Sequence, residues 1–180
     1  MDVKDVGFIP EPMMLEIAKT QPLYDYARSG EYPLGKIMET AGLASSKDPS
    51  VFPKLLKRLD DKNSVVRYWA VMGCIIQPQQ GEPATDKLVR LLKDPEISVR
   101  IAAAEALYNL SEKEKSMQTL TDALKSDNLM ARVQALNVLE NMGEDARPAL
   151  VAIKQLVREN TTDGDYDVRA ASHIMEKLSR

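Results

Sequence analysis

The sequence predicts an all-α fold, a solenoid of stacked helical pairs with a helical N-terminal cap, and three observations predict it. First, Arg67, Arg100, Arg132 and Arg169 each lie five or six residues after an aspartate and open an alanine-rich apolar segment. The four segments read DKNSVVRYWAVMG, DPEISVRIAAAEAL, DNLMARVQALNVL and DGDYDVRAASHIM, and the arginines recur every 32 to 37 residues, a period of helical-pair repeats. Second, apolar residues within each segment return at three- and four-residue steps, as on one face of a helix. Third, strand signals are absent, because no sustained alternating segment is bounded by hairpin turns.

In chain order, residues 1–46 are expected to form N-terminal connector and capping helices, near Pro12 to Lys19, Pro22 to Arg28 and Pro33 to Ala44. Ile37, Met38, Ala41 and Leu43 on the last of these can cover the apolar end of the first repeat, since a solenoid terminus needs a cap. Residues 47–180 then divide into four repeats. First helices fall near Val51 to Leu59, Pro83 to Leu92, Met117 to Leu124 and Pro148 to Val157. Second helices fall near Ser64 to Ile76, Ile97 to Leu110, Leu129 to Met142 and Tyr166 to Ser179. Pro53, Pro83 and Pro148 sit in or near first turns, where a missing backbone donor costs little. Asp94-Pro95 stops its helix because the residue before a proline is pushed out of the helical region. Gly81, Gly143 and Gly164 punctuate the connections.

Composition excludes several classes of function. With 28% charged residues, 44% hydrophobic ones and a net charge of −3, the chain gives no electrostatic reason to expect nucleic acid or a membrane as a partner. One cysteine, Cys74, excludes an intramolecular disulfide and a cysteine-based zinc site within the chain. The single histidine, His173, excludes a multi-histidine metal site and a histidine-pair acid/base mechanism. The opening MDVKDVGFIPEPMM carries acids and prolines where a signal peptide needs a basic and then an apolar stretch, so no export address is expected in the chain as given.

A leucine-rich first helix, an aspartate-bearing turn and a Val-x-Arg lead into Ala-x-x-Ala-Leu together resemble HEAT repeats of the short bacterial, lyase-like kind, over residues 47–180. The resemblance implies a right-handed α-α superhelix, a HEAT-like solenoid whose second helices line the concave side. DPEISVRIAAAEAL matches best, whereas the first repeat has Gly73 and Cys74, and the fourth Met175 and Glu176, in place of the usual Ala-Leu pair. Residues 1–46 are similar to the segment that follows the catalytic domain in bacterial type I sulfatases with a HEAT-like C-terminal extension. The similarity is carried by Gly-Phe-Ile-Pro-Glu, Gln-Pro-Leu-Tyr-Asp and Tyr-Pro-Leu…Leu-Ala-Ser. It implies a protein partner, the sulfatase's own catalytic domain, and a periplasmic or extracellular location; otherwise the protein would be cytoplasmic.

The chemistry of such a sulfatase needs a cysteine or serine in a Cys/Ser-x-Pro-x-Arg signature and metal-holding carboxylates. Cys74 is followed instead by Ile75-Ile76-Gln77, and is expected to pack as a small hydrophobe. No catalytic, cofactor or metal residues are therefore expected, and the chain is read as not an enzyme. The acidic run Thr161 to Asp167 lacks the glycine and glutamate of a calcium loop and suits turn and capping roles. The four arginines are expected to form a structural ladder, each guanidinium bridging a neighbour's turn carboxylate and helix-end carbonyls.

The second-helix positions not needed for the core form the candidate interaction surface. They are Tyr68, Met72 and Ile76, then Ile101, Glu105 and Tyr108, followed by Val133, Asn137, Glu140, Ala170, Ile174 and Lys177. The expected function is a noncatalytic protein-interaction scaffold, the HEAT-repeat region of a sulfatase, contacting its catalytic domain, a partner or a polymeric substrate. Two other classes stay open: a nucleic-acid-directed HEAT-like protein, which the acidic Glu105 and Glu140 oppose, and a lyase-like or chaperone-like one, which would need a deep apolar pocket.

Overall fold

The computed structural model describes residues 11–159 and 166–179, and among these every regular element is helical. Three helices come first: α1 (Glu11–Ala18), α2 (Leu23–Arg28) and α3 (Leu34–Ser45). Four pairs follow, α4 (Phe52–Arg58) with α5 (Ser64–Ile76), α6 (Thr85–Leu91) with α7 (Ile97–Asn109), α8 (Lys113–Ala123) with α9 (Leu129–Met142), and α10 (Leu150–Glu159) with α11 (Tyr166–Lys177).

Local chemistry sets the helix starts. Asn63 Oδ1 accepts from the backbone N–H groups of Val65 and Val66, and Asn128 Oδ1 from that of Ala131, so α5 and α9 begin where a side chain satisfies orphan donors. Both second helices run over the residues expected from their periodicity. First helices are less regular, because Pro49, Pro83 and Pro148 lie in 3-10 turns that precede α4, α6 and α10. The third first helix starts four residues before the expected Met117. Its opening turn, Lys113 to Ser116, carries no large apolar residue and so no periodic signal, but lysine and glutamate extend a helix readily.

The second helices lie side by side in one layer, α3 on α5, α5 on α7, α7 on α9 and α9 on α11, while first helices mainly pack on second helices. No first helix comes as close to another first helix, so the second-helix layer forms the tighter, inner curve. Within the first pair a small residue lets the two helices close up: a Cβ built on Gly73 of α5 would stand 2.6 Å from Leu55 Cδ1 of α4. The core is correspondingly divided into successive clusters. Tyr26, Tyr32, Ile37, Val65 and Val66 form the first; Leu55, Val71, Cys74, Leu88 and Leu107 anchor the second; Leu120, Leu136, Leu139, Ile153 and Ile174 anchor the third. Cys74 is buried, and burial pushes its thiol up to about 12, which suits a packing role.

Ile37 takes its expected place against the first repeat and is fully buried, but Met38 beside it is exposed. The correction follows from α3 offering only one face to α5: Ile37, Thr40 and Ala44 share that face, and Met38 turns away from it.

After α7 the backbone turns through a paired motif in which Ser111 N–H donates to Tyr108 O and Glu112 N–H to Leu107 O, both at 2.9 Å. Ser111 holds φ +69° to make it, a left-handed conformation that glycine adopts without strain. Ser111→Gly is expected to raise stability by about 1 kcal/mol, read as a higher midpoint in thermal denaturation followed by circular dichroism. No change, or a fall, would show that the motif carries no strain for glycine to relieve.

Candidate interaction surface and arginine rungs

Arg67, Arg100 and Arg132 are each aimed by the first turn of their second helix toward the turn that precedes it. Arg67 Nη1 donates to Asp61 O at 2.8 Å, Arg100 Nη1 to Asp94 O at 2.6 Å and Arg132 Nη1 to Ser126 O at 2.7 Å. These bonds satisfy carbonyls left over where a first helix ends. The other edge of the guanidinium can then reach the next repeat. Arg67 Nε and Nη2 donate to Asp94 Oδ2 and Oδ1 at 2.6 and 2.8 Å, and Arg132 Nε donates to Asp167 Oδ2 at 2.6 Å. Both carboxylates are almost completely buried, with side-chain exposures of 3% for Asp94 and 0% for Asp167. One further pair extends the series backwards, since Lys36 of α3 is ion-paired with Asp61.

The other two arginines depart from the expected ladder. Among the described residues Arg100 donates only to the carbonyls of Asp94 and Pro95 in its own turn. Its neighbour presents Ser126 where the preceding turns present an aspartate, and a hydroxymethyl group offers no carboxylate. Arg169, on α11, has no later repeat beside it among the described residues; its guanidinium lies over the Tyr166 ring at 4.9 Å. Within the acidic run, Thr161 to Asp165 lie outside the described residues, while Asp167 is the buried partner of Arg132. Among the described residues no three His, Cys, Asp or Glu side chains converge as a metal site would require.

The candidate surface is smaller than its residue pattern suggests. Tyr68, Met72, Ile76, Glu105 and Tyr108 are each partly exposed on α5 and α7. Ile101 is not: it is 0% exposed and packs with Ala104, Leu120, Ala135 and Leu139. A middle helix of the layer is covered by a second helix on each side and by first helices behind. The buried arc of α7 therefore takes in Val99, Ile101, Ala102, Ala103, Ala104, Ala106 and Leu107. Ile174 is corrected too: α11 packs on both α9 and α10, and Ile174 is buried in the third core cluster between them. Asn137 and Lys177 are exposed, Val133, Glu140 and Ala170 partly so.

Electrostatics distinguish the remaining positions. Burial raises the Glu105 carboxyl above its ordinary value, and among the described residues this group has no ion pair or side-chain hydrogen bond. Tyr68 is raised by burial and then by the nearby Glu105 charge; its ring meets Trp69 edge-on at 5.9 Å. The Tyr108 hydroxyl donates to Asp145 Oδ2 at 3.0 Å, and Lys113 Nζ donates to the same oxygen at 2.7 Å. Glu140 is held below its ordinary value by the hydrogen bond from Lys177, with the imidazole of exposed His173 3.4 Å away.

Residues exposed on the N-terminal helices went unnoticed in the sequence. Leu15, Tyr24 and Leu34 all reach solvent, beside the Met38 that was expected to be covered, and only their mismatch with the buried stripe could have marked them. Among the described residues no helix is long and apolar enough to cross a membrane.

A family of HEAT repeats matches residues 20–107, 52–140 and 85–174 in three overlapping registers. The chain belongs to the HEAT-repeat family. The match begins at residue 20, ahead of α3, and α3 behaves like a second helix: it packs on α5 and sends Lys36 to Asp61. No curated protein matches the sequence.

The rungs predict an order of sensitivity. Arg67→Ala strands a buried carboxylate and should cost about 3 kcal/mol, whereas Arg100→Ala, which strands only carbonyls, should cost roughly half as much. Urea denaturation of both variants checks this, and equal losses would remove the distinction. Glu105 makes a second prediction. Its raised value means that the folded state holds the proton to higher pH, so stability is greatest below the unfolded value and falls as pH rises through the folded one. Glu105→Gln should abolish that fall and be more stable than the parent at pH 7. The comparison is between midpoints of the two proteins from pH 4 to 8.

Proposed function

We propose that this protein is a noncatalytic protein-interaction scaffold that meets its partner on the inner layer, across Tyr68, Met72, Glu105 and Tyr108. The single observation that carries the reading is the partly exposed apolar and aromatic run on adjacent helices α5 and α7, in a family whose repeats mediate protein contacts. Aromatic side chains with a polar tip and an adjacent apolar area make effective interface anchors. The finer reading is that the partner is a sulfatase catalytic domain, of which this protein is the C-terminal HEAT-repeat region. It rests on the sequence of residues 1–46, and the exposed Leu15, Tyr24, Leu34 and Met38 would give such a domain apolar area to cover.

The test is direct binding. A sulfatase catalytic domain of the resembled type, supplied separately, should form a complex measurable by calorimetry, and Tyr68→Glu or Tyr108→Glu should weaken it at least tenfold with helicity unchanged. Binding that ignores both substitutions would move the contact off the inner layer. Hydrolysis of an aryl sulfate by the purified protein, abolished by one point substitution, would overturn the noncatalytic reading.

A further inference from the structure

Three turns of this protein share one construction, and only one of them lacks an acid. Asp61, Asp94 and Ser126 each stand six residues before an arginine, and each gives that arginine's Nη1 its backbone carbonyl. Each side chain also accepts from the backbone N–H two residues on: Asp61 Oδ1 from Asn63 at 3.0 Å, Asp94 Oδ1 from Glu96 at 2.9 Å and Ser126 Oγ from Asn128 at 3.2 Å. Ser126 is therefore the counterpart of Asp94, and the rung Arg67 forms with Asp94 is the one Arg100 would form with an acid at 126.

Arg100 is thus a guanidinium held in place by two carbonyls, with its Nε and Nη2 edge making no hydrogen bond among the described residues. It faces a cleft of about 180 Å³ lined by Leu92, Ile97, Arg100, Thr119, Asp122 and Ala123. Asp122 does not neutralise it: one of its oxygens accepts from Gln118 and the other from Lys125, both at 2.9 Å.

We propose that this cleft is a binding site for a carboxylate carried on a short apolar stem, such as the acidic side group or the terminal carboxylate of a partner protein. The free edge presents two parallel N–H donors, the geometry a carboxylate accepts bidentately. In the preceding rung the same edge takes Asp94 in that way. Leu92, Ile97 and Ala123 supply apolar walls for a stem, which inorganic phosphate cannot use. The Asp122 charge on the wall weighs against a doubly charged anion more than against a monocarboxylate. The site lies apart from Tyr68 and Tyr108, and its test needs no protein partner, so its failure and that of the scaffold reading are separable.

The probe is propionate, titrated into the ¹⁵N-labelled full-length protein while arginine side-chain Nε–H signals are followed. Arg100 should shift saturably, with half-saturation in the millimolar range, while exposed Arg28 should drift linearly or stay still. Propionamide should leave Arg100 unmoved, and inorganic phosphate should bind at least threefold more weakly. Ser126→Asp should close the rung from within, abolish the propionate response and raise the thermal midpoint by about 2–4 °C. Asp122→Asn should tighten propionate binding about threefold. If Ser126→Asp does not fold, Thr119→Phe, which fills the cleft from its partly exposed wall, should abolish the response instead. A linear Arg100 drift matching that of Arg28, tighter binding of phosphate than of propionate, or an unchanged response in the filled variant would each overturn the proposal.

Discussion

The stacking of these repeats depends on how a second helix begins. Its first-turn arginine must satisfy the carbonyls of the turn before it, and the same guanidinium then has an edge left to hold the next repeat. A guanidinium is suited to this because its donors are fixed in one plane and it stays charged when partly buried. The cost of burying Asp94 and Asp167 is offset by bonds to both the arginine and the backbone: Asp94 also accepts from Glu96 N–H, and Asp167 from Val168 N–H. The rungs thereby fix α5 against α7 and α9 against α11. The alanines between them set how near the helices come, since burial of Ala70, Ala102, Ala103, Ala106, Ala131 and Ala135 leaves little side chain to separate the backbones.

That constraint explains what could be read in the sequence. The second helices α5 and α9 were legible to the residue because an arginine and an apolar run at helical spacing mark the same register, and the structure adds an asparagine cap at each start. The first helices were legible only as positions: Pro53 does lie in the first turn of α4, but Pro49, Pro83 and Pro148 sit in 3-10 turns, and α8 opens with a charged turn that carries no periodicity. Ile101 and Ile174 were misjudged by reasoning from one buried face per helix. Inside the layer α7 has neighbours on both flanks and spreads its buried residues around most of its circumference, and the terminal α11 still packs on α9 and α10 together, which buries Ile174. The open edge of Arg100 was present in the sequence as a serine in an aspartate's place. Asp127, one residue later, concealed it by supplying an acid at nearly the right spacing.

Segmented cores give this molecule a graded distribution of stability. Each cluster spans adjacent helices, so the cost of opening one repeat is set by its own cluster and two junctions. The junction between α7 and α9 is the one whose rung has no carboxylate, although Gln134 Nε2 donates across it to Ser98 O at 3.4 Å. That bond is long and neutral where the rungs before and after it are short and charged. The middle of the solenoid is therefore tied by packing more than by ionic contact, with Ile101 and Ala104 joining the cluster that Ala131, Ala135 and Leu136 build on the other side.

A partner meeting the inner layer would encounter two kinds of group there. Glu140 is already engaged by Lys177, and the polar tip of Tyr108 by Asp145, so displacing either bond must be repaid by a new one. Glu105 has no such bond to lose and is raised by its partial burial beside Tyr68. A cationic group placed against it would relieve an electrostatic cost that the folded protein already bears, and would do so next to an aromatic face able to attract the same charge. On this surface, then, the position best prepared to reward a contact is the one that contributes least to holding the repeats together.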